Sequence, residues 1–317
     1  MAGVSPITVS RVLNRPEMVA PGTLEHVRRV VDRAGYVPNL LAGGLASRKT
    51  RFVAAIVPAI SSQVFSETIQ AMTDRLWESG YQVLLGTSGY SEPREESLLT
   101  AILSRRPDGI FLTGISHSVE SHRRLAAAKI PVVEVWDLTP TPVDMLVGFS
   151  HVKVGEAVAE YLIGRGRRAF GVVSADDARA GMRREGFLSA LRRNGITDML
   201  SVEVPAPSSV RLGREGLARL LELGPLPRAV FCSSDTLAHG ILMEAQARGL
   251  SVPKDVAIAG FGDLDFAAYT FPPLSTVRID RAALGRRAAE ALLGRFEGKP
   301  VERIVDIGFQ IMERGTT

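Results

Sequence analysis

The spacing of apolar residues changes once along the chain. In the first part, apolar side chains recur three or four residues apart, which predicts helices over residues 5–14 and 21–34. Pro6 suits the first turn of the first helix, and Gly35 suits the end of the second. The stretch that follows is short and rich in small residues, so residues 39–50 are predicted to be a hinge between domains.

Farther along, short apolar runs alternate with stretches of helical periodicity. The predicted strands are 52–58, 82–87, 109–113, 131–136, 145–149, 169–173, 200–204, 229–233 and 255–261. Helices are predicted between most of them, for example over 64–79, 92–105, 152–165, 183–194 and 234–248. This alternation is typical of parallel sheets that are covered by helices on both faces.

The nine strands, with a break near Gly148, predict an α/β fold with two doubly wound parallel-sheet subdomains after an all-α segment. The short extended segments 272–277 and 304–309 are expected to carry the chain between the two halves. The predicted domains are a helix-turn-helix headpiece (1–38), the hinge (39–50) and a ligand-binding body (51–317); the body has one half at about 51–147 plus 276–303 and another at about 150–273 plus 306–317.

The distribution of charge along the chain indicates a binding partner. Residues 1–51 carry eight Lys or Arg and three Asp or Glu, which gives +5, whereas the net charge of the whole chain is +4. A basic N-terminal segment on a nearly neutral body is typical of a protein that reads nucleic acid. The sequence contains no apolar run of about 18 residues, no secretory signal and only one cysteine, Cys232. We therefore expect no membrane span, no disulfide and a cytoplasmic location.

The first helix carries a recognisable motif. Residues 2–14, Ala-Gly-Val-Ser-Pro-Ile-Thr-Val-Ser-Arg-Val-Leu-Asn, resemble the turn and recognition helix of the LacI/GalR helix-turn-helix. The end of the second helix, Gly-Tyr-Val-Pro-Asn at 35–39, is similar to the same family. By this resemblance the chain is a transcription repressor that binds a palindromic operator as a homodimer and carries no cofactor.

The resemblance implies DNA-binding roles for seven residues. Pro6, Ile7 and Arg11 occupy the base-reading positions, and an arginine can bond a guanine with two parallel hydrogen bonds. Thr8, Ser10 and Asn14 have side chains suited to phosphate contacts. Leu45, in the hinge, is expected to insert between base pairs in the minor groove.

The headpiece also departs from the family pattern. Only Met1 and Ala2 precede the Gly-Val-Ser turn, where the family has a complete first helix. We therefore expect an N-terminally truncated headpiece: either the start of the sequence is wrongly chosen, or the chain folds a damaged motif that binds DNA poorly.

A ligand site is expected at the carboxyl ends of the strands, in the cleft between the two halves. The polar or aromatic residues that follow the strands are Ser61, Ser62, Gln63, Thr113, Trp136, Asp137, Asp176, Asp177, Arg179, Arg183, Ser208, Ser209, Asp235, Asp263 and Asp265. Carboxylates pair with hydroxyl groups, and arginine binds a carboxylate with a planar fork. This set predicts a polyol with an acid group as the ligand.

Landmarks of the family extend over residues 3–312, which implies a body that resembles periplasmic binding proteins. By resemblance, Val64 and Phe65 form an apolar rim, Arg179 and Arg183 anchor the effector, Ser208 forms the opposite wall, and Asp235 is a cleft carboxylate. Gly262 stands where the family often has Asp, and Asp263 or Asp265 would replace it. The segments 134–137 and 146–150 look most like the gluconate-utilisation repressors.

Two other classes of protein remain as alternatives. A periplasmic-type sugar-binding protein would share the two-lobed body, but it would have a signal peptide and no basic headpiece. An enzyme is not expected, because the sequence shows no phosphate loop, no metal-spaced His/Cys set and no nucleophile elbow. DNA retention that falls steeply with salt would distinguish a repressor from both alternatives.

Overall fold

The computed structural model describes residues 2–36, 49–60 and 63–317. It divides into two compact units, Met1–Thr50 and Arg51–Thr317. The predicted roles of Leu45 and Ser62, and most of the predicted hinge, fall on residues outside the described ranges.

The first unit is helical, as its apolar spacing predicts. Ser5 caps the first helix, because its Oγ accepts a hydrogen bond from the backbone N–H of Thr8 at 3.3 Å. Gly35 ends the second helix with a φ of 58°, a backbone conformation that favours glycine. Val12 and Val27, one on each helix, are buried. The elements are α1 (Pro6–Asn14), a 3₁₀ turn (Pro16–Met18) and α2 (Pro21–Ala34).

The second unit alternates strands and helices. Its first elements are β1 (Phe52–Val57), α3 (Gln63–Glu78), β2 (Gln82–Thr87), α4 (Glu92–Leu103), β3 (Gly109–Thr113), α5 (Val119–Ala128), β4 (Val132–Val135) and β5 (Met145–Gly148). They are followed by α6 (His151–Gly164), β6 (Phe170–Ala175), α7 (Ala178–Arg193), β7 (Met199–Val204), α8 (Val210–Leu223), β8 (Ala229–Cys232), α9 (Asp235–Ala247) and β9 (Ala257–Ala259). The chain ends with a 3₁₀ turn (Asp265–Tyr269), β10 (Thr276–Arg278), α10 (Arg281–Phe296), β11 (Ile304–Asp306) and β12 (Gln310–Met312).

Two parallel sheets form the two halves of this unit. The first has the order β11-β5-β4-β3-β1-β2, and the second has the order β7-β6-β8-β9. All pairings within both sheets are parallel, so the strands of each sheet end at a common edge. The predicted α/β fold with two doubly wound sheets is confirmed.

The chain passes between the halves at three places: after β5, after β10 and between β11 and β12. Strands β10 and β12 pair antiparallel to each other, with Val277 opposite Ile311. Gly262 donates its N–H to the carbonyl of Val277 at 2.9 Å, which joins β10 to the second half. The predicted division at 276–303 therefore shifts: β10 lies with the second half, and β11 (Ile304–Asp306) completes the first sheet.

Helix α7 differs from its prediction in a way that affects the site. It begins at Ala178, five residues before the predicted start at 183, because Asp177 caps it by accepting a hydrogen bond from the N–H of Ala180 at 2.9 Å. Arg179 and Arg183 are therefore one turn apart on the same helix. Among the described residues, no helix is both long enough and apolar enough to cross a membrane.

Candidate functional site

A cavity of about 360 Å³ lies where the strands of the second unit end. Of the residues predicted for the ligand site, eight line it: Gln63, Val64, Phe65, Trp136, Asp177, Arg179, Arg183 and Ser208. The other lining residues are Tyr90, His151, Pro207, Ser233, Ser234, Thr236, Phe261, Leu264 and Phe266. The wall is therefore contributed by both halves and combines charged, hydroxyl and aromatic groups.

Arg183 is the most enclosed charged group of this cavity. Its Nη2 donates to the carbonyl of Ser233 at 2.9 Å, and its Nη1 donates to His151 Nδ1 at 2.7 Å. The guanidinium carbon lies 4.0 Å from the centroid of the Phe261 ring. Burial lowers the pKa of Arg183 to about 10, so the side chain keeps its positive charge at neutral pH.

His151 holds Arg183 as a neutral acceptor. Burial, followed by the charges of Arg183 and Arg179, lowers the pKa of His151 well below its ordinary value. The Nε2–H group of the ring donates to the carbonyl of Trp136 at 2.7 Å, which leaves Nδ1 free to accept from Arg183. No carboxylate of the described residues lies within ion-pair distance of Arg183. The cavity thus contains a buried cation without an internal counter-ion.

Arg179 lies between a carboxylate and an aromatic ring. Its Nη1 is 3.9 Å from Asp137 Oδ2, and its guanidinium carbon is 5.3 Å from the centroid of Phe65. Asp137 is only 2% exposed. Burial raises the pKa of Asp137 to about 7, although Arg179 and Arg183 act in the opposite direction.

An aromatic wall supports these polar groups. Phe65 meets Trp136 edge-on at 5.4 Å between ring centroids, and Trp136 meets Phe149 in the same way at 5.7 Å. Trp136 lines the cavity although it is 2% exposed, and its Nε1 has no hydrogen-bond partner within the described chain. A ligand acceptor could satisfy this donor.

A second cavity of about 330 Å³ adjoins the first and shares Tyr90, Asp177 and Arg179 with it. Three predicted ligand residues, Thr113, Asp137 and Asp176, line this second cavity rather than the first. Its other lining residues are Pro58, Ser88, Ser91, Glu92, Glu95, Gly114, Ile115, Ser116, Ala178 and Met182.

Three carboxylates that were predicted for the ligand site line neither cavity. Asp235 is completely buried, and its carboxylate accepts hydrogen bonds from the Thr276 hydroxyl and, at 2.8 Å, from the N–H of Leu264. The prediction of a cleft carboxylate at Asp235 is therefore corrected, because these internal donors occupy its oxygens. Burial raises its pKa to about 6, despite the lowering effect of both hydrogen bonds.

The carboxylates of Asp263 and Asp265 also interact with other side chains of the protein. Asp263 is 2.6 Å from Arg278 Nε and 2.7 Å from Arg314 Nη2, so it links β10 to the C-terminal segment. Asp265 is exposed and accepts a hydrogen bond from Gln63 Nε2 at 3.0 Å, next to the cavity. Neither Asp263 nor Asp265 lines the cavity. Neither therefore takes the place of the aspartate that the family often has where this chain has Gly262.

Sequence reasoning did not single out Tyr90, His151, Phe261 or Phe266 as ligand residues. Tyr90 belongs to the loop after β2, and His151 follows β5, so both obey the rule that sites lie past the carboxyl ends of strands. A search after every predicted strand, aromatic residues included, would have found these two. Tyr90 and Trp136 also have positive φ values, 60° and 75°, which few residues other than glycine adopt.

The predicted DNA-binding residues lie on the first unit. Pro6, Ile7, Ser10 and Arg11 are exposed on α1, with Ile7 65% exposed. Thr8 is half-buried, and its Oγ1 lies 3.0 Å from Ser5 Oγ. Asn14 is the last residue of α1. Within the described ranges, no group of three or more His, Cys, Asp or Glu residues could hold a metal ion.

Comparisons with known proteins agree with this arrangement. A family profile described as "Bacterial regulatory proteins, lacI family" matches residues 1–39, and one described as "Periplasmic binding protein-like domain" matches residues 159–317. The "HTH-type transcriptional regulator GntR" of Pseudomonas aeruginosa is 41% identical, over 100% of this chain and 93% of that protein.

Solved structures are similar as well. A LacI-family transcriptional regulator from Silicibacter pomeroyi is 33% identical with a TM-score of 0.94, over 99% of this chain and 96% of that one. The transcription regulator GntR from Chromobacterium violaceum is 38% identical with a TM-score of 0.80, over 84% of this chain and 99% of that one.

These relatives are regulators rather than enzymes, which confirms that expectation, and they do not favour the alternative of a sugar-binding carrier. The resemblance inferred from residues 2–14 and 35–39 is confirmed over the full length of the chain. The chain belongs to the lacI family of bacterial regulatory proteins and is a DNA-binding transcriptional regulator.

Proposed function

We propose that the chain is a repressor whose binding to a palindromic operator is controlled by a sugar acid, such as gluconate, in the first cavity. The observation that carries this proposal is Arg183, a buried cation with no carboxylate partner in the described chain and an Nε without a hydrogen-bond partner. A ligand carboxylate supplies the missing charge and accepts from this side chain.

The rest of the first cavity suits the remainder of such a ligand. Arg179 offers a second cation, Ser208 and Ser234 offer hydroxyl groups, and Trp136 offers an indole N–H. The aromatic wall provides apolar surface for the carbon chain. The relatives named GntR support gluconate as the first acid to test.

The DNA-binding side of the proposal keeps the residue roles given by the family resemblance. Pro6, Ile7 and Arg11 read base edges, whereas Thr8, Ser10 and Asn14 contact phosphates and Leu45 enters the minor groove. Because a palindromic operator presents two equivalent half-sites, the regulator acts as a homodimer. A regulator of bacterial genes meets its DNA in the cytoplasm, and we assign it there.

Calorimetric titration with gluconate tests the effector. We expect gluconate to bind and neutral glucose to bind at least about tenfold more weakly, because only gluconate neutralises Arg183. Arg183→Gln and Arg179→Gln should each weaken gluconate binding by on the order of 2–5 kcal/mol. Arg184→Gln is the matched control on the same helix, because Arg184 pairs with Glu203 outside the cavity.

Two results would contradict the proposed effector class. One is equal affinity of the unaltered chain for glucose and gluconate. The other is gluconate binding that survives both Arg183→Gln and Arg179→Gln while thermal melting shows that the variants are folded.

A further inference from the structure

Arg51, the first residue of the second unit, has an unusual backbone conformation. Its φ is 59°, a value that few residues other than glycine adopt. The peptide bond before it attaches the second unit to Thr50, the last residue of the DNA-binding unit. A residue other than glycine keeps such a conformation only where the surrounding structure holds it.

Residues beside two neighbouring strands hold Arg51. Its N–H donates to Asp108 Oδ2 at 3.0 Å, just before β3, and its carbonyl accepts from the N–H of Gln82, at the start of β2, at 2.9 Å. Its Nη1 lies 3.5 Å from the carbonyl oxygen of Ser79, and its guanidinium carbon lies 5.2 Å from the centroid of the Tyr81 ring. Both polar groups of the backbone are therefore bonded, which fixes the direction of the chain at this point.

The ring of Tyr81 connects Arg51 to helix α10. Tyr81 stacks on Phe296, the last residue of α10, with 4.8 Å between the ring centroids and 27° between the ring planes. The ring of Phe296 also lies close to Gly109, where a Cβ atom would be 2.9 Å from it. The end of α10 is thus in contact with a side chain that holds Arg51.

The other end of α10 lies where the two halves meet. Arg281, its first residue, donates to Glu67 of the first half at 2.7 Å; it also donates to the carbonyls of Gly262 and Asp263 of the second half, to the latter at 3.3 Å. A helix of 16 residues is about 24 Å long, so α10 extends from the contact between the halves to the residues that hold Arg51.

We propose that Arg51 is a positioning residue for operator binding and that α10 couples it to the effector cavity. A ligand between the halves changes how they meet and moves Arg281, and the packed helix transmits this movement to Phe296 and Arg51. Arg51 sets the direction of the chain at the point where the DNA-binding unit is attached. This inference rests on the proposed function and adds the route by which the effector alters DNA binding.

Asp108→Ala tests the role of Arg51. The full chain is titrated with the duplex that the parent chain selects from a pool of random palindromes. The substitution removes the acceptor of the Arg51 N–H. Loss of a negative charge would by itself strengthen DNA binding, whereas we expect binding to weaken by about tenfold or more. The salt dependence of the affinity should stay the same, because no phosphate contact is removed.

Asp144→Ala is the matched control. Asp144 also lies at the start of a strand in the same sheet, and it accepts from the backbone N–H of Val132 at 3.2 Å. Its other described contacts are with Arg295 and Arg303 rather than Arg51. Asp144→Ala should bind the duplex as tightly as the parent chain or slightly more tightly. A melting temperature within a few degrees of the parent chain shows that each variant is folded.

Phe296→Leu tests the coupling, because it removes the stack on Tyr81 and keeps an apolar side chain. Gluconate should bind this variant as tightly as the parent chain. Saturating gluconate should change the duplex affinity of the parent chain by about tenfold or more, and that of the variant by less than about twofold. Tyr81→Leu breaks the same stack from the other side and should give the same result. Phe170→Leu, at a buried aromatic residue at the start of β6, is the control and should respond as the parent chain does.

The outcomes separate this inference from the proposed function. If Asp108→Ala binds the duplex as the Asp144→Ala control does, Arg51 is not a positioning residue. If Phe296→Leu and Tyr81→Leu respond to gluconate as the parent chain does, α10 does not carry the coupling. The proposed function stands in both cases. If the parent chain selects no duplex, or binds one without any response to gluconate, the proposed function is wrong and this inference fails with it.

Discussion

Burial shifts the pKa values of Arg183, His151 and Asp137, which lie in or beside the first cavity. Arg183 stays cationic because its lowered pKa, about 10, is still well above neutral. His151 is neutral because burial and two neighbouring arginines lower its pKa. Asp137 changes charge near pH 7, because burial raises its pKa to about that value. At neutral pH the cavity is therefore positive and attracts an acid.

The raised pKa of Asp137 predicts how stability depends on pH. The folded state binds a proton at Asp137 up to about pH 7, whereas the unfolded chain releases it near 3.8, so this group's contribution to the unfolding free energy falls as pH rises between these values. Asp137→Asn should therefore be more stable than the parent chain at pH 8, by on the order of 1–3 kcal/mol. The difference should vanish near pH 4.

Chemical denaturation at pH 4 and pH 8 measures this difference. Asp176→Asn, which alters an exposed carboxylate of the second cavity, where Asp137 also lies, controls for the loss of a negative charge. An Asp137→Asn variant that is equally destabilised at both pH values would show that the carboxylate is needed for packing and not penalised by burial.

At the residue scale, the sequence predicts correctly which arginines line the first cavity, but it is less successful for the carboxylates. Arg179 and Arg183 follow β6 at helical spacing, and both reach the cavity. Asp235 also follows a strand, but residues distant in sequence, Leu264 and Thr276, donate to its oxygens. Spacing along the chain cannot reveal such donors, because they come from a loop and a strand that approach only after folding.

Helices α6 and α7 approach each other through two glycines. A Cβ atom on Gly155 would lie 2.0 Å from the carbonyl oxygen of Arg183, and one on Gly186 would lie 2.1 Å from that of Val152. Such contacts are far shorter than atoms tolerate, so the helices can be this close only without these side chains. The same helix, α7, positions Arg179 and Arg183 in the cavity.

Gly186→Ala should therefore reduce both stability and effector affinity. Overpacking of this kind costs typically about 1–3 kcal/mol, and here the α7 backbone must move, which displaces Arg183. Gly181→Ala is the matched control: Gly181 is on the same helix with open space around its Cβ position, so alanine should stabilise by up to about 1 kcal/mol. Thermal melting and gluconate titration compare the two variants. Equal stability and equal gluconate affinity would mean that the α7 backbone accommodates the extra methyl group without loss of stability or affinity.

At the element scale, hydrophobic periodicity predicted most strands and helices to within a few residues, because buried parallel strands form continuous apolar runs. The predicted start of α7 is too late, because Gly181 interrupts the helical pattern of the sequence near residue 178. The helix nevertheless begins there, because Asp177 caps it. The segment 304–309 was predicted as one extended piece, but its first residues pair with β5, and the following strand, β12, pairs with β10. Pairings at such sequence separation leave no local signal.

Several large apolar side chains on the second unit are exposed. Tyr269 and Phe271 are 87% and 88% exposed, and Leu84 and Leu85 on the edge strand β2 are 47% and 46% exposed. Exposed apolar side chains and an unpaired strand edge are features that proteins usually cover with a partner. They support the proposed homodimer.

Light scattering at micromolar concentration should therefore give the mass of a dimer. The double substitution Tyr269→Ser with Phe271→Ser should weaken dimerisation by at least tenfold, because each aromatic side chain contributes roughly 1.5–3 kcal/mol when fully buried. Val119→Ser, at a valine that is 89% exposed on α5, is the control for loss of surface hydrophobicity. A parent chain that remains monomeric would contradict the proposed dimer and the palindromic operator with it.

The threading of the chain through both halves also has a consequence during synthesis on the ribosome. The first sheet gains its edge strand β11 only from residues 304–306, although its other strands lie within 52–148. The second half is completed still later, when Thr316 accepts from the N–H of Ile258 at 2.8 Å and its hydroxyl donates to the carbonyl of Ile258 at 2.7 Å. Neither half can finish folding before residues 304–316 have left the ribosome, so the last folding steps of the two halves are coupled in time.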